Sequence, residues 1–473
     1  MMEIPCGMQE QFLEAKELIE SSNDIKIYTH TDCDGICSGA ILSIILDRLN
    51  KDYEIEFVNL DEIENLDLDH KLTIFSDLGS GQGVDKNAKD GQKILILDHH
   101  PPLRDINYKN DKAYTYLEIN PIFYGIDGSY YVCGGGLCYF LAKTFGFKDL
   151  SWIGVLSAIG DMQNNKTGHF EGLNEIIQED AINEGLLKVT KNDLNIYGRS
   201  TRPLYVALSY FSDVKLPITN NQQEAKVVLE ELGVDEKHNR KTLSEVTEED
   251  KMEIKKFLSR MISKRVPPKY LKYVPKLIVG DAYTFLNEEE GSFLRDGSEF
   301  STAMNACGRN RKEAIGVDII KGDRLVALDA LEEVSKTHKY NLATSISKVA
   351  DNYHSEIIEL DNFQYFDCSD FDEDIASNII GTITGMVLGY CNWKKPILGF
   401  SKPKNNQIKV SLRCSKLLAY DGIHFGNMMR EIAKEVGGTG GGHAIACGAY
   451  IPNEKKSEFL DKFNRKLQGK IAN

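Results

Sequence analysis

The chain has no stretch of about 20 uncharged apolar residues, which argues against a membrane-spanning helix. Its start, "MMEIPCGMQEQF", lacks the basic end and apolar middle of a signal peptide, so a cytoplasmic protein is expected. CxxC pairs are missing as well. The ten cysteines are scattered singly, and the closest spacings, Cys33/Cys37 and Cys133/Cys138, fit no common zinc template. Reduced, mostly buried thiols are the expectation. Nor is there an excess of positive charge. A net charge of −15 argues against a basic surface that holds duplex nucleic acid by neutralising phosphates. It leaves room for a local basic groove or a metal-lined site for a polyanion. Lys251–Lys276 is the local exception, with nine cations against the single acid Glu253. That run is either a solvated helix face or a contact for nucleic acid or a partner protein. Internal repeats and low-complexity tracts are absent.

What is there begins with size. At 473 residues, 42% hydrophobic and 27% charged, the chain is an ordinary globular sequence long enough for two or three domains. In the first 165 residues, β-like runs alternate with helical patterns. "IKIY", "IEFVNL", "LTIFSD" and "KILILD" read as strands, several apolar on both faces, as buried parallel strands are. "ICSGAILSIILDRLN" and "GGLCYFLAKTFG" have helical spacing. Alternation of this kind predicts a parallel sheet with helices on both faces, and ligands beyond the carboxyl ends of its strands. From about Asn192 the pattern turns helical and strongly charged until Pro267 and Pro268 break it. A second mixed region starts near "KLIVGD" and contains a helical run "ASNIIGTITGMVLGY", paired strands "PILGF" and "QIKVSLR", and "GGTGGGHAIACGAYI".

The chemistry is concentrated in four clusters, each expected at the end of a β-like run. "THTDCDG" offers His30, Asp32 and Asp34, "IFSDLGSG" offers Asp77, "LILDHHPP" offers Asp98, His99 and His100, and "SAIGDMQ" offers Asp161. Any one of these has a dull explanation, since Asp after a strand often caps the next helix. Together, five carboxylates and three imidazoles gathered at one sheet edge repel one another unless cations sit among them. Carboxylate mixed with imidazole, without thiolate, suits Mn²⁺ or Mg²⁺, and imidazole tilts the choice toward Mn²⁺. So many acids suit two ions sharing a bridging carboxylate, about 3.5–4 Å apart, the arrangement that clamps an in-line phosphoryl displacement. Hydrolysis of a phosphoester is the expected reaction.

"HTDCDG", the isolated "SD", "DHH" and "GD", in this order and at these intervals, resemble the DHH phosphoesterase superfamily. That group includes RecJ exonucleases, nano-RNases, cyclic-dinucleotide phosphodiesterases and family-II pyrophosphatases. "GGTGGGHAIACGAYI" resembles the GGGH motif of the DHH-associated substrate domain, so the resemblance spans nearly the whole chain. It implies a parallel-sheet DHH catalytic domain over 1–190, a helical connecting region over 191–272, and a smaller α/β substrate domain with a mixed sheet over 273–473. It further implies His30, Asp32 and Asp77 on one metal, and Asp34, Asp77, His99 and Asp161 on the other. His100 would lie against the scissile phosphate, with Asp98 orienting an imidazole. In the substrate domain, Arg413 at a strand end can hold phosphate bidentately. Gly440, Gly441 and Gly442 would allow a nest of free N–H groups, with His443 beside them. "YGRSTRPL" and "EFSTAMNACGRN" look like segments of archaeal RecJ-like proteins, the branch related to the eukaryotic helicase subunit that accompanies GINS. Arg199, Arg202, Asn305 and Arg309 there either line a strand path or serve packing and turns. The family's aliphatic pair before "NACGR" reads Ala303–Met304. The implied function is a metal-dependent, single-strand-specific exonuclease of DNA replication or repair that releases nucleoside 5′-monophosphates from DNA or RNA. The competing readings are a phosphodiesterase of short oligoribonucleotides or cyclic dinucleotides, and a replisome scaffold that binds a GINS-like partner.

Overall fold

A computed structural model describes residues 2–60, 62–63, 66, 68–108, 113–234, 241–350, 355–369 and 373–471. The chain forms two compact units, Met1–Asn192 with Asp281–Ser335, and Asp193–Gly280 with Lys336–Asn473. Among the described residues no helix is long and apolar enough to cross a membrane. All ten cysteines are free and nine are buried.

The first unit is built on a five-stranded parallel sheet of β1 (Ile25–His30), β2 (Tyr53–Val58), β3 (Leu72–Ser76), β4 (Lys93–Leu97) and β5 (Thr115–Ile119). Their order is β2-β1-β3-β4-β5, which puts β1, β3 and β4 side by side in the middle. Every residue of β3 is buried, which is why its sequence is apolar without alternation. The edge strand β2 alternates, and its exposed Glu54 and Glu56 pair with Lys26 at 3.1 and 3.0 Å. One face of the sheet packs on the helices Cys6–Glu20, Cys33–Arg48, Gly134–Thr144 and Ser151–Gly160 through a large core that includes Ile27, Ile74, Leu95, Ile41 and Leu141. The other face carries a smaller core of Tyr28, Phe75, Ile94 and Ile96, closed by Ile63, Leu68, Leu78 and Val84. Those closing residues come from turns rather than α-helices, so helices do not cover both faces as the alternation suggests. The connection after β3, "DLGSGQGVDKNAKDGQ", is too rich in glycine and turn residues to hold a helix.

Asp281–Ser335 belong to this unit, not to a second domain beginning at 273. The helices Gly297–Arg309 and Glu313–Ile320 pack on Cys33–Arg48, burying Phe300, Met304, Cys307 and Ile319 in the same core. Between these halves of the unit, β6 (Leu187–Leu194) pairs with β7 (Val279–Phe285).

The second unit joins a helical part to a mixed sheet. The helices Gln222–Glu231 and Glu248–Ser263 share a core of Val228, Leu229, Ile254, Leu258 and Ile262. The sheet contains β8 (Ile358–Glu359), β9 (Gln364–Asp367), β10 (Ile397–Phe400), β11 (Gln407–Arg413), β12 (Thr439–Gly442) and β13 (Ala446–Pro452), in the order β12-β13-β11-β10-β9-β8. Only the β9/β10 pairing is parallel. The helices Phe425–Glu435 and Lys456–Leu467 cover one face. The α/β class, the parallel sheet and the separate mixed sheet are thus as the sequence led us to expect.

Candidate metal centre

Three neighbouring strands and one helix deliver the acids to one edge of the parallel sheet. His30 ends β1, and Asp32 caps the helix that follows, accepting Gly35 N–H at 3.1 Å. Asp34 is buried in that helix's first turn. Asp77 follows β3, and Asp98–His100 follow β4. Asp161 stands instead at the end of the helix Ser151–Gly160, whose apolar run "WIGVLSAIG" reads equally well as a strand. Asp77 adopts φ +58 and Met162, next to Asp161, φ +57. Left-handed backbone is costly away from glycine, and such strain collects at functional sites.

The side chains converge. Ligand-type atoms of His30, Asp32 and Asp77 lie within 4.8 Å of one another, and so do those of Asp34, His99 and Asp161. Asp77 lies between the sets, with Oδ2 at 3.5 Å from His30 Nδ1 and Oδ1 at 3.2 Å from His99 Nε2. His30 Nδ1 is also 3.1 Å from Asp32 Oδ2, and His99 Nε2 is 3.5 Å from Asp34 and 3.9 Å from Asp161. His99 Nδ1 meets Gly128 O at 2.7 Å, so that nitrogen carries the proton and donates. In the neutral form of the ring, Nε2 then offers a lone pair among three carboxylates. Both His99 Nε2 and Asp77 Oδ2 are buried without a hydrogen-bond partner. Buried polar atoms left without a partner, one on each side of the Asp77 carboxylate's contacts to His30 and His99, fit cations seated in this cluster.

The electrostatics agree. Burial pushes the Asp34 carboxyl well above its ordinary range, and repulsion from Asp77 and Asp161 adds to this. Burial would lower both imidazoles, but the neighbouring carboxylates win. Asp32 and Asp77 hold His30 well above its usual value, and Asp161, Asp77 and Asp34 do the same for His99. Asp32, despite the cost of burial, is held low by His30. The nearby thiols Cys37 and Cys133 are pushed well up, chiefly by burial, and remain protonated. The available donors are therefore oxygen and imidazole nitrogen, a set suited to Mn²⁺ or Mg²⁺.

A supporting layer, which the motifs do not announce, fixes these groups. Asp34 accepts N–H bonds from Gly134 (2.9 Å) and Gly135 (2.7 Å), at the N-terminus of the helix Gly134–Thr144, and a bond from Ser157 Oγ. A Cβ at Gly135 would stand 2.1 Å from Ser157 Oγ, and one at Gly134 2.7 Å from Asp77 Cβ. The triple glycine opening a helix was the available signal. Gln163 Nε2 donates to Asp161 at 2.6 Å and to Gly128 O at 2.8 Å. Asp98 is fully buried and accepts from Ser80 N–H (2.9 Å), His99 N–H (2.8 Å) and His100 Nδ1–H (2.7 Å). His100 itself is about half exposed.

In the second unit, Arg413 ends β11 and donates to Leu412 O at 2.8 Å. Burial lowers its pKa, and among the described residues no carboxylate forms an ion pair with it. Gly381 and Gly385, one turn apart on the helix Glu373–Val387, make room for it, since a Cβ at Gly381 would lie 2.9 Å from its Nη2. Gly440, Gly441 and Gly442 form the edge strand β12 paired with β13, not an open loop. His443 N–H is committed to Ala446 O at 3.0 Å. A nest of wholly free N–H groups is therefore not what this segment forms; a strand edge lends only alternate N–H groups. Arg430 lies against it, its Nη2 3.1 Å from where a Gly441 Cβ would be.

The other basic residues divide. Arg199 and Lys251 are buried on Asp193 at 2.7 and 3.2 Å, which is packing. Arg202 lies over the rings of Tyr197 and Tyr210. Lys256, Arg260, Lys264, Arg265, Lys269, Lys272 and Lys276 are exposed.

Three family descriptions match the sequence: the DHH family N-terminal domain over residues 24–155, the DHH-CID domain over 196–274, and the DHHA1 domain over 361–469. An uncharacterized protein of Methanocaldococcus jannaschii is 31% identical over 446 residues, covering 93% of this chain and 92% of that one. Among solved structures, CDC45 from Entamoeba histolytica superposes with a TM-score of 0.62 at 15% identity, covering 98% and 99% of the two chains. RecJ from Thermus thermophilus, solved in complex with Mn²⁺, superposes with a TM-score of 0.55 at 12% identity. That match covers 99% of this chain and 55% of RecJ.

Proposed function

The chain belongs to the DHH superfamily as a RecJ-like member, and on that basis we propose that it is a metal-dependent phosphodiesterase acting as a single-strand-specific exonuclease. It releases nucleoside 5′-monophosphates from single-stranded DNA or RNA, in the cytoplasm, in DNA replication or repair. The observation that carries this reading is the pair of acid–imidazole sets with Asp77 between them, whose buried Oδ2 lacks a partner. His30, Asp32 and Asp77 would hold one divalent ion, and Asp34, Asp77, His99 and Asp161 would hold the second. Mn²⁺ is the favoured ion, as in the RecJ complex, with Mg²⁺ the alternative. When bound, such ions supply charge stabilisation for the phosphoryl group and bring the pKa of a water near neutrality.

The protein's own groups do the rest. Asp98 accepts the Nδ1–H of His100, so that in the imidazolium form the Nε2–H can face the scissile phosphate and pass its proton to the departing oxygen, leaving neutral imidazole. Arg413 is a partly buried cation without a carboxylate partner among the described residues, suited to a substrate phosphate, with His443 and the Gly440–Gly442 edge as further contacts.

The test is digestion of end-labelled single-stranded DNA and RNA with Mn²⁺, together with a dinucleotide. The expected first product is a mononucleotide, released faster from a 30-mer than from the dinucleotide. Preference for the dinucleotide would instead make the protein a small-substrate phosphodiesterase. The CDC45-like fold favours a second role as a partner of GINS-like subunits, for which metal-independent co-purification is the test.

A further inference from the structure

The loop that carries His30, Asp32 and Asp34 opens a helix, and a helix begins with N–H groups that have no acceptor within it. At Cys33–Arg48, Gly35 N–H goes to Asp32 Oδ1. Cys33 N–H goes to Asn305 Oδ1 at 3.1 Å, from a residue 272 positions away. Cys33 is wholly buried, so no solvent stands in for that acceptor. The same distant segment presses on the loop at two more points. A Cβ at Gly308 would stand 1.7 Å from Thr31 O, so only glycine fits there. A Cβ at Gly316 would stand 2.9 Å from Ile36.

We propose that Asn305 is a positioning residue for the metal centre, with Gly308 as its steric counterpart. By taking the Cys33 N–H, Asn305 leaves only one Asp32 oxygen engaged in capping. The other, Oδ2, stays 3.1 Å from His30 Nδ1 in the first ligand set. Without Asn305 the buried Cys33 N–H lacks this acceptor, and the adjacent Asp32 carboxylate is drawn to it, exchanging a ligand oxygen for a second cap. The Asn305 carboxamide oxygen thus points at the protein's backbone, not at a strand path. The inference rests on reading His30, Asp32 and Asp77 as a metal set.

Calorimetric titration of the full chain with Mn²⁺, paired with the Mn²⁺ dependence of hydrolysis, tests it. Asn305→Leu removes the acceptor and Gly308→Ala displaces Thr31. Each is expected to weaken one of two Mn²⁺ sites roughly tenfold, the scale of a lost bond to a buried donor. Excess Mn²⁺ should restore kcat, with KM for single strands unchanged. Asn305→Asp keeps the oxygen and is an equally good cap, so it should bind Mn²⁺ within about threefold of the wild type. Should Asn305→Leu fail to fold, Gly308→Ala and Asn305→Asp decide. Wild-type Mn²⁺ affinity in the Leu and Ala variants, or a raised KM with affinity intact, would overturn the positioning role. So would an Asn305→Asp chain as weak as the Leu variant. A wild-type chain that takes up no Mn²⁺ would overturn the metal reading itself, and this inference with it.

Discussion

Asp77 concentrates the chemistry of the site in one side chain. Its oxygens face different imidazoles, its backbone is left-handed, and it is 2% exposed. Asn is the substitution of choice, because it keeps the volume and tolerates that backbone. Asp77→Asn should lower Mn²⁺-dependent hydrolysis by roughly 10³-fold or more. The same change should stabilise the metal-free protein by about 1–3 kcal/mol, because relief of the repulsion between buried Asp77 and Asp34 outweighs the loss of its contacts to His30 and His99. Denaturant titration in a chelator checks the second half, and a destabilised variant would show that the cluster is held by internal pairing rather than built for cations. The acids and imidazoles of the cluster are legible in sequence because aspartate and histidine at the ends of apolar runs are conspicuous. Gly128, Ser157, Gln163 and Asn305 are not. Each makes at least one contact with a residue remote in the chain, and no local pattern records such a contact.

At the scale of elements, strands buried on both faces announce themselves, and β3 and β4 do. The helix Ser151–Gly160 does not, since a buried helix and a buried strand share one composition. β5 escapes because "TYLEI" is short and half polar. The basic helix Glu248–Ser263 shows how charge can mislead. Its Lys251 turns inward and, with Arg199, neutralises the buried Asp193. Burial pushes the Asp193 carboxyl up, but Arg199 and Lys251 overcome this and hold it below the ordinary value. A carboxyl depressed in the folded state contributes stability that is complete above its unfolded pKa of about 4 and is lost as pH falls through the folded value. Asp193→Asn should therefore cost about 3 kcal/mol at neutral pH, and the gap to wild type should narrow as pH falls below about 4. Urea midpoints across that range decide, and a gap independent of pH would contradict the assignment.

For the whole molecule, the sequence order of motifs predicts the fold class but misplaces one boundary. Residues 281–335 carry "NACGR" and follow the helical region, so position along the chain assigns them to the second domain. Packing returns them to the first, where Gly308 accepts the backbone of Thr31 at a distance only glycine permits and Gly316 lies tightly against the Ile36 side chain. Composition carries no trace of that return, because the segment's apolar residues would bury equally well in either unit. The unit that carries the acid–imidazole cluster is thus completed by a late piece of chain, on which, as we propose, its metal geometry depends. Anomalous diffraction at the manganese edge from crystals soaked in Mn²⁺ tests the account most directly. Two peaks about 3.5–4 Å apart, flanking Asp77 and bounded by His30, Asp32, Asp34, His99 and Asp161, are the predicted result. No peak at that edge of the sheet, or peaks bound elsewhere with Asp77 unliganded, would contradict it.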